Sequence, residues 1–175
     1  LSPQEASHLV DDKNQTDVDV QNDKLVHQLF EEICRNQPET KALVFNGESF
    51  TYRELNERTN QLAHCLILNG VESESLVGLY LQRSVDMVVA ILAVLKAGGA
   101  YIPLDPEQPF KRTQSLINDA NLEILLTQSF LKHELKELSD VECIPVDELT
   151  QFSQLPKSNP SQVELNPNNA AYLIF

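Results

Sequence analysis

Leu25, Val26, Leu29, Phe30 and Ile33 recur at helical spacing, which predicts a short helix with one apolar stripe. Next comes KALVFNGESFT, in which two extended runs flank Asn46-Gly47. That pair favours a two-residue turn, so the segment predicts a hairpin. Thr51-Tyr52-Arg53-Glu54 reads as a capping box, with each end able to satisfy the other's backbone amide. The helix it starts puts Leu55, Leu62, Ala63 and Leu66 on one face, and Gly70 is placed to stop it in the left-handed conformation.

From there strands and helices alternate. LVGLYL, residues 76–81, is a compact apolar run after turn residues and predicts a buried strand. Ser84 can cap the following helix, with Asp86 in its first turn. That helix, VDMVVAILAVLK, is apolar on nearly every side, the pattern of a helix buried in a larger body. Lys96 falls in its last turn and Gly98-Gly99 ends it. AYIPLD (100–105) reads as a short strand running into a proline-bounded turn. Residues 109–120 predict a helix, EILLT (123–127) a buried strand, 129–138 a weaker helix and ECIPV a fourth short strand. Residues 150–169, rich in Ser, Pro, Gln and Asn, predict a loop before the final AAYLIF. This order predicts an α/β fold with a mostly parallel sheet flanked by helices.

The two ends differ from the middle. Residues 1–24 carry six acids and two lysines, and DDKNQTDVDVQNDK reads as a solvated linker. Ala170 to Phe175 is an apolar run, whereas a parallel strand normally feeds a loop beyond which ligands sit. The chain is therefore expected to be truncated just before such a loop. A strand that closes the sheet is the alternative. An unfinished sheet would leave an open edge and an uncovered apolar face, which favour association.

Composition narrows the classes. The 175 residues are 42% apolar and 22% charged, enough for one domain with a real core. Thirteen basic against 26 acidic residues give a net charge of −13, which argues against nucleic acid and against anionic membrane surfaces. No apolar run reaches the roughly 18 residues of a membrane span. The polar, acidic start is no signal peptide. Cys34, Cys65 and Cys143 are far apart without a CxxC pair, so neither zinc nor thioredoxin-like chemistry is signalled. So sparse and odd a set suits a reducing compartment, and a cytoplasmic protein is expected.

Candidate chemistry is thin. There is no GxGxxG, no GxxxxGK[ST], no HExxH and no GxSxG. Gly98-Gly99 lies at a helix end, where amides do not converge on an anion. His8, His27, His64 and His133 lie in separate segments, and His64 shares a face with Glu57 and Asn60 that reads as solvated. Glu31-Glu32 and Asp11-Asp12 read as surface pairs. Arg83-Ser84 and Asp105 follow predicted strands at the carboxyl edge, where ligands bind in such folds. Capping explains Ser84, and turn chemistry explains Asp105.

FTYREL (Phe50 to Leu55) and LKAGGAYIPLDP (Leu95 to Pro106) resemble the first two core motifs of the adenylation domains of nonribosomal peptide synthetases. NNAAYLIF resembles the lead-in to the third, after which the family carries a Ser/Thr/Gly-rich loop with a lysine that holds the ATP phosphates. The resemblance covers residues 25–175. Residues 1–24, with LSPQEASHLV, resemble the linker that follows an upstream condensation domain. Departures are small: Phe50 stands where leucine is commoner, and Gln82 precedes Arg-Ser where glutamate is frequent.

The resemblance implies the amino-terminal part of the large subdomain of an adenylate-forming enzyme. The complete domain would bind Mg-ATP and an amino acid. The amino-acid carboxylate would attack the α-phosphate, giving aminoacyl-AMP and pyrophosphate. The aminoacyl group would then pass to the phosphopantetheine thiol of a neighbouring carrier domain. In the family the early motifs are mainly scaffold, so no catalytic, cofactor-binding or metal-binding residue is assigned among these 175. The phosphate-handling and specificity residues are expected beyond Phe175. Adjacent condensation and carrier domains are implied partners, and small MbtH-like accessory proteins partner some members. The competing readings are an acyl-CoA or fatty-acyl-AMP ligase fragment and a non-catalytic interaction module.

Overall fold

Local signals place the first elements. The computed structural model describes residues 2–14, 24–161, 163 and 165–175. Ser2 caps a one-turn helix, α1 (Pro3–Ser7), and Glu5 accepts a hydrogen bond from the Ser2 amide at 2.8 Å. A wider turn, His8–Asp12, continues it. Most of the predicted acidic linker, residues 15–23, lies outside the described residues. Helix α2 (Val26–Asn36) precedes an antiparallel hairpin of β1 (Lys41–Phe45) and β2 (Glu48–Thr51). Its turn has φ 50° at Asn46 and 85° at Gly47, the two positive values a type I′ turn requires.

The capping box forms as the sequence predicts. Thr51 Oγ1 accepts from the Glu54 amide at 3.2 Å, and Glu54 Oε2 accepts from the Thr51 amide at 2.8 Å. Those bonds hold the Glu54 carboxyl below its ordinary range. They start α3 (Tyr52–Leu68), which buries Leu55, Leu62, Ala63 and Leu66. It ends at Gly70, φ 88°, with Gly70 donating to the Ile67 carbonyl and Val71 to the Leu66 carbonyl, each at 3.0 Å.

The remaining elements build the sheet. They are β3 (Leu76–Tyr80), α4 (Val85–Lys96), β4 (Ala100–Leu104), α5 (Phe110–Asp119), β5 (Ile124–Thr127) and β6 (Glu142–Pro145). All four strands are parallel, in the order β4-β3-β5-β6. The two-residue period of the strands divides their side chains between two cores. Val77, Leu79, Leu126 and Ile144 pack with α3 and α4 on one face. Tyr80, Ile102, Leu104 and Leu125 pack with Ile117 of α5 and with Leu131 and Leu135 on the other.

Two segments differ from expectation. Residues 129–135 form 3-10 turns rather than an α-helix. No side chain caps them; instead the Asp147 carboxylate takes the Ser129 amide at 2.8 Å, tying the first turn to the loop after β6. Much of the stripe predicted on α2 faces outward, with Val26 66%, Leu29 41% and Ile33 42% exposed, while Phe30 packs against the core of α3 and α4. The buried residues of α2 are His27 and Cys34. The last segment pairs at the edge of the sheet beside β4. The Tyr101 amide donates to the Ala171 carbonyl at 3.1 Å, and the Leu173 amide to the Tyr101 carbonyl at 3.0 Å, a parallel bridge.

Candidate functional site

The carboxyl edge of the sheet is the first place to look. The chain leaves β3 toward one face to form α4, while β4 and β5 turn to the other face, so the loops diverge around β3. Gln128 closes that divergence. Its side-chain oxygen accepts from the Gln82 amide at 3.0 Å, and its Nε2 donates to Ser84 Oγ at 3.3 Å. Ser84 also caps α4 by accepting from the Met87 amide at 3.3 Å. Asp105 Oδ1 accepts from the Glu107 amide at 2.9 Å, a local turn. Tyr80 donates to Glu134 at 2.6 Å; burial, then that bond, pushes its hydroxyl well above the usual range. Arg83 is exposed.

These side chains tie loops together, as the sequence indicates for Ser84 and Asp105. Gly98-Gly99 is a helix stop: φ is 89° at Gly98, which donates to the Leu95 carbonyl at 3.2 Å, and Gly99 donates to the Val94 carbonyl at 3.0 Å. Among the described residues no cluster of His, Cys, Asp or Glu could hold a metal ion. Gln82, Ser84 and Gln128 bond one another and Asp105 closes its own turn, while Arg83 is exposed.

The second site has no counterpart among the sequence expectations. Lys96, at the end of the apolar helix α4, is only 2% exposed. Its ammonium donates to Asn56 Oδ1 and Asn60 Oδ1, both at 2.8 Å, and to Asn159 Oδ1 at 3.1 Å. It also pairs with Glu31 Oε1 at 2.8 Å. The asparagine amides are used in turn: Asn60 Nδ2 donates to Asn159 Oδ1 at 2.9 Å and to the Lys157 carbonyl at 2.7 Å. Helices α2, α3 and α4 and the 157–159 loop thus meet on one cation.

Burial lowers the Lys96 pKa, and the hydrogen bond and charge of Glu31 oppose that. Burial likewise lowers His27, with the Glu31 charge opposing and the Lys96 charge reinforcing. His27 Nε2 is buried with no hydrogen-bond partner among the described residues. Cys34 donates to the Tyr52 carbonyl at 3.5 Å, and burial pushes its thiol up to about 11. A saturated ammonium and a protonated thiol are poor nucleophiles. This cluster fastens α2, α3, α4 and the 157–159 loop together.

It also corrects three readings. Glu31 is no plain surface acid, since it faces Lys96, whereas Glu32 pairs with Lys24 at 2.8 Å. Asn60 is fully buried rather than on a solvated face. His64 lies 3.0 Å from the Ser158 carbonyl, on the loop that crosses α3. The signal that could have found the cluster is present in the sequence. A single cation on a helix apolar all round needs buried partners, and Asn56 and Asn60, one turn apart, supply them.

Comparison with known proteins identifies the scaffold. The AMP-binding enzyme family matches residues 30–175. Tyrocidine synthase 3 of Brevibacillus parabrevis is 40% identical over 181 residues, covering 100% of this chain and 3% of that protein. Bacitracin synthase 3 of Bacillus licheniformis is 38% identical over 175 residues, covering 100% of this chain and 3% of the relative. The chain thus spans a small part of the curated relatives it matches. Among solved structures, the nonribosomal peptide synthetase FmoA3 in its AMPPNP-bound form superposes with a TM-score of 0.83 at 30% identity, over 92% of this chain and 17% of that one. The N-terminal subdomain of Klebsiella oxytoca NpsA shares the fold, with a TM-score of 0.65 at 22% identity over 81% of this chain and 34% of that one. Matched over its whole length by these synthetases, the chain belongs to the AMP-binding enzyme family, among the adenylation domains of nonribosomal peptide synthetases.

Proposed function

We propose that the chain is the amino-terminal scaffold of an amino-acid-activating module. The complete domain would join an amino-acid carboxylate to the α-phosphate of Mg-ATP, release pyrophosphate, and pass the aminoacyl group to a carrier-bound phosphopantetheine thiol. The observation that carries this reading is the match to AMPPNP-bound FmoA3 at a TM-score of 0.83 over 92% of the chain. No step of that chemistry is assigned to residues here; Ser84 and Gln128 brace the loops of the carboxyl edge and Asp105 closes a turn. What this chain supplies is the frame: β3, β4 and the segment beside β4 set the edge from which a phosphate-binding loop would follow. A cytoplasmic module with condensation and carrier neighbours fits this reading. So does an MbtH-like accessory protein. Among the described residues no helix is long and apolar enough to cross a membrane.

The test is amino-acid-dependent exchange of labelled pyrophosphate into ATP. The complete domain is expected to show it and the 175-residue chain to show none. Exchange by the short chain would overturn the assignment of scaffold. Exchange supported only by fatty acids would overturn the amino-acid reading.

A further inference from the structure

Glu74 sits where three strands begin. The turn from Glu72 to Ser75 closes with the Ser75 amide donating to the Glu72 carbonyl at 3.1 Å, and its third residue, Glu74, has φ 69°. A turn of this kind favours glycine there, because a side chain in the left-handed region is strained. The sequence keeps a glutamate and uses it three ways. Its amide donates to the Gly98 carbonyl at 3.2 Å, just before β4. The next residue, Ser75, accepts from the Ala100 amide at 2.8 Å, fixing the start of β4 against the start of β3. The Glu74 carboxylate accepts from the Ala170 amide at 3.1 Å, and Asn169 Nδ2 donates to Ser73 Oγ of the same turn. One residue further on, Ala171 and Leu173 bracket Tyr101 in the parallel bridge.

We propose that Glu74 is a positioning residue. Its strained backbone aims the carboxylate at Ala170 and so sets the register of residues 171–173 on β4. The register matters because a slip of one residue turns every side chain of the segment to the other face. The carboxylate is exposed, so its bond is a charge-assisted one of modest strength. It can bias a segment without carrying the fold. Resting on the adenylation reading, the same contact would place the loop that follows the segment.

The test separates local positioning from global stability by opposing their directions. Glu74→Gly relieves the backbone strain and removes the acceptor. In the natural-length protein, peptide-resolved hydrogen exchange is expected to quicken roughly tenfold over residues 170–175. Peptides of β3 and β5 stay unchanged, and the thermal midpoint is unchanged or raised. Glu74→Gln keeps an acceptor oxygen and is expected to restore protection. The proposal fails if Glu74→Gly leaves residues 170–175 as protected as before, if all peptides quicken together with a lower midpoint, or if Gln behaves as Gly. In the ATP–pyrophosphate exchange assay, Glu74→Gly is expected to raise the KM for ATP about fivefold with kcat changed less, and Gln to restore it. A parent protein with no exchange at all would count against the adenylation reading, while the hydrogen-exchange result still decides the role of Glu74.

Discussion

Helices α2 and α4 touch, yet they are held by opposite logic. Helix α4 buries Val85, Val89, Ala90, Leu92, Ala93 and Val94, so apolar area sets most of its orientation, with Lys96 at its end as the one buried cation. Helix α2 turns His27, Cys34 and the Glu31 carboxylate inward, packs Phe30 against the core, and leaves Val26, Leu29 and Ile33 outside. The magnitudes explain the inversion. Leaving three apolar side chains about half exposed forfeits roughly 1 kcal/mol each. Removing the partner of a buried ion costs about 3–5 kcal/mol. The Lys96 ammonium therefore outweighs those three side chains by a narrow margin, while Phe30 of the same stripe keeps its place on the core beside it.

The largest effect should come from the apolar side of the comparison. Leu126 of β5 is fully buried in the core that α3 and α4 cover. Leu126→Ala is expected to cost about 3 kcal/mol. For a chain of this length that lowers the thermal midpoint by roughly 6–12 °C. A urea titration should show a lower midpoint with an unchanged slope. A loss under about 1 kcal/mol would mean that the site collapses easily, and that apolar packing does not dominate this face.

The polar side should show itself in pH. His27 is held below its ordinary value of 6.5 chiefly by burial, while Glu31 and Lys96 act on it in opposite senses. Its folded form resists the proton that the unfolded form takes up near 6.5. The stability it lends is thus complete above that pH and declines as pH falls toward the depressed folded value. The expected result is a stability that drops on mild acidification in the parent and drops less steeply in His27→Leu. Equal slopes in the two proteins would remove His27 from the account.

What can be read in the sequence is whatever depends on neighbours along the chain. The Asn46-Gly47 turn, the Thr51–Glu54 box, the Ser84 cap and the stops at Gly70 and Gly98 are all local, and all appear as expected. The parallel sheet also follows from the alternation of strand and helix. The Lys96 cluster is legible only in part: a lone cation on an apolar helix signals a need for partners, but those partners stand 36 to 65 positions away and are neutral amides for the most part. The α2 stripe misleads for the same reason. Periodicity reports that a face is apolar, but the cation that claims the opposite face belongs to another helix. At the carboxyl edge, the capping by Ser84 and the turn at Asp105 are legible, though the bridging of that edge by Gln128 needs the fold.

The smallest effect is the one that isolates α2. If the stripe were part of the core, Leu29→Gln would cost as much as a buried leucine, about 2–5 kcal/mol. Leu29 is 41% exposed, and Gln has a helix propensity close to that of Leu. The substitution should therefore change stability by no more than about 1 kcal/mol. Its effect belongs to association instead. Val26, Leu29 and Ile33 lie on the surface of a chain that also exposes Tyr172, Leu173, Ile174 and Phe175, and apolar patches of that kind drive proteins together despite a net charge of −13. Sedimentation velocity of the 175-residue chain should show association that weakens in Leu29→Gln and Ile33→Gln at nearly constant stability. A monomer with a sharp cooperative melt would leave the outward stripe without consequence. A large stability loss with no change in association would place α2 the other way round.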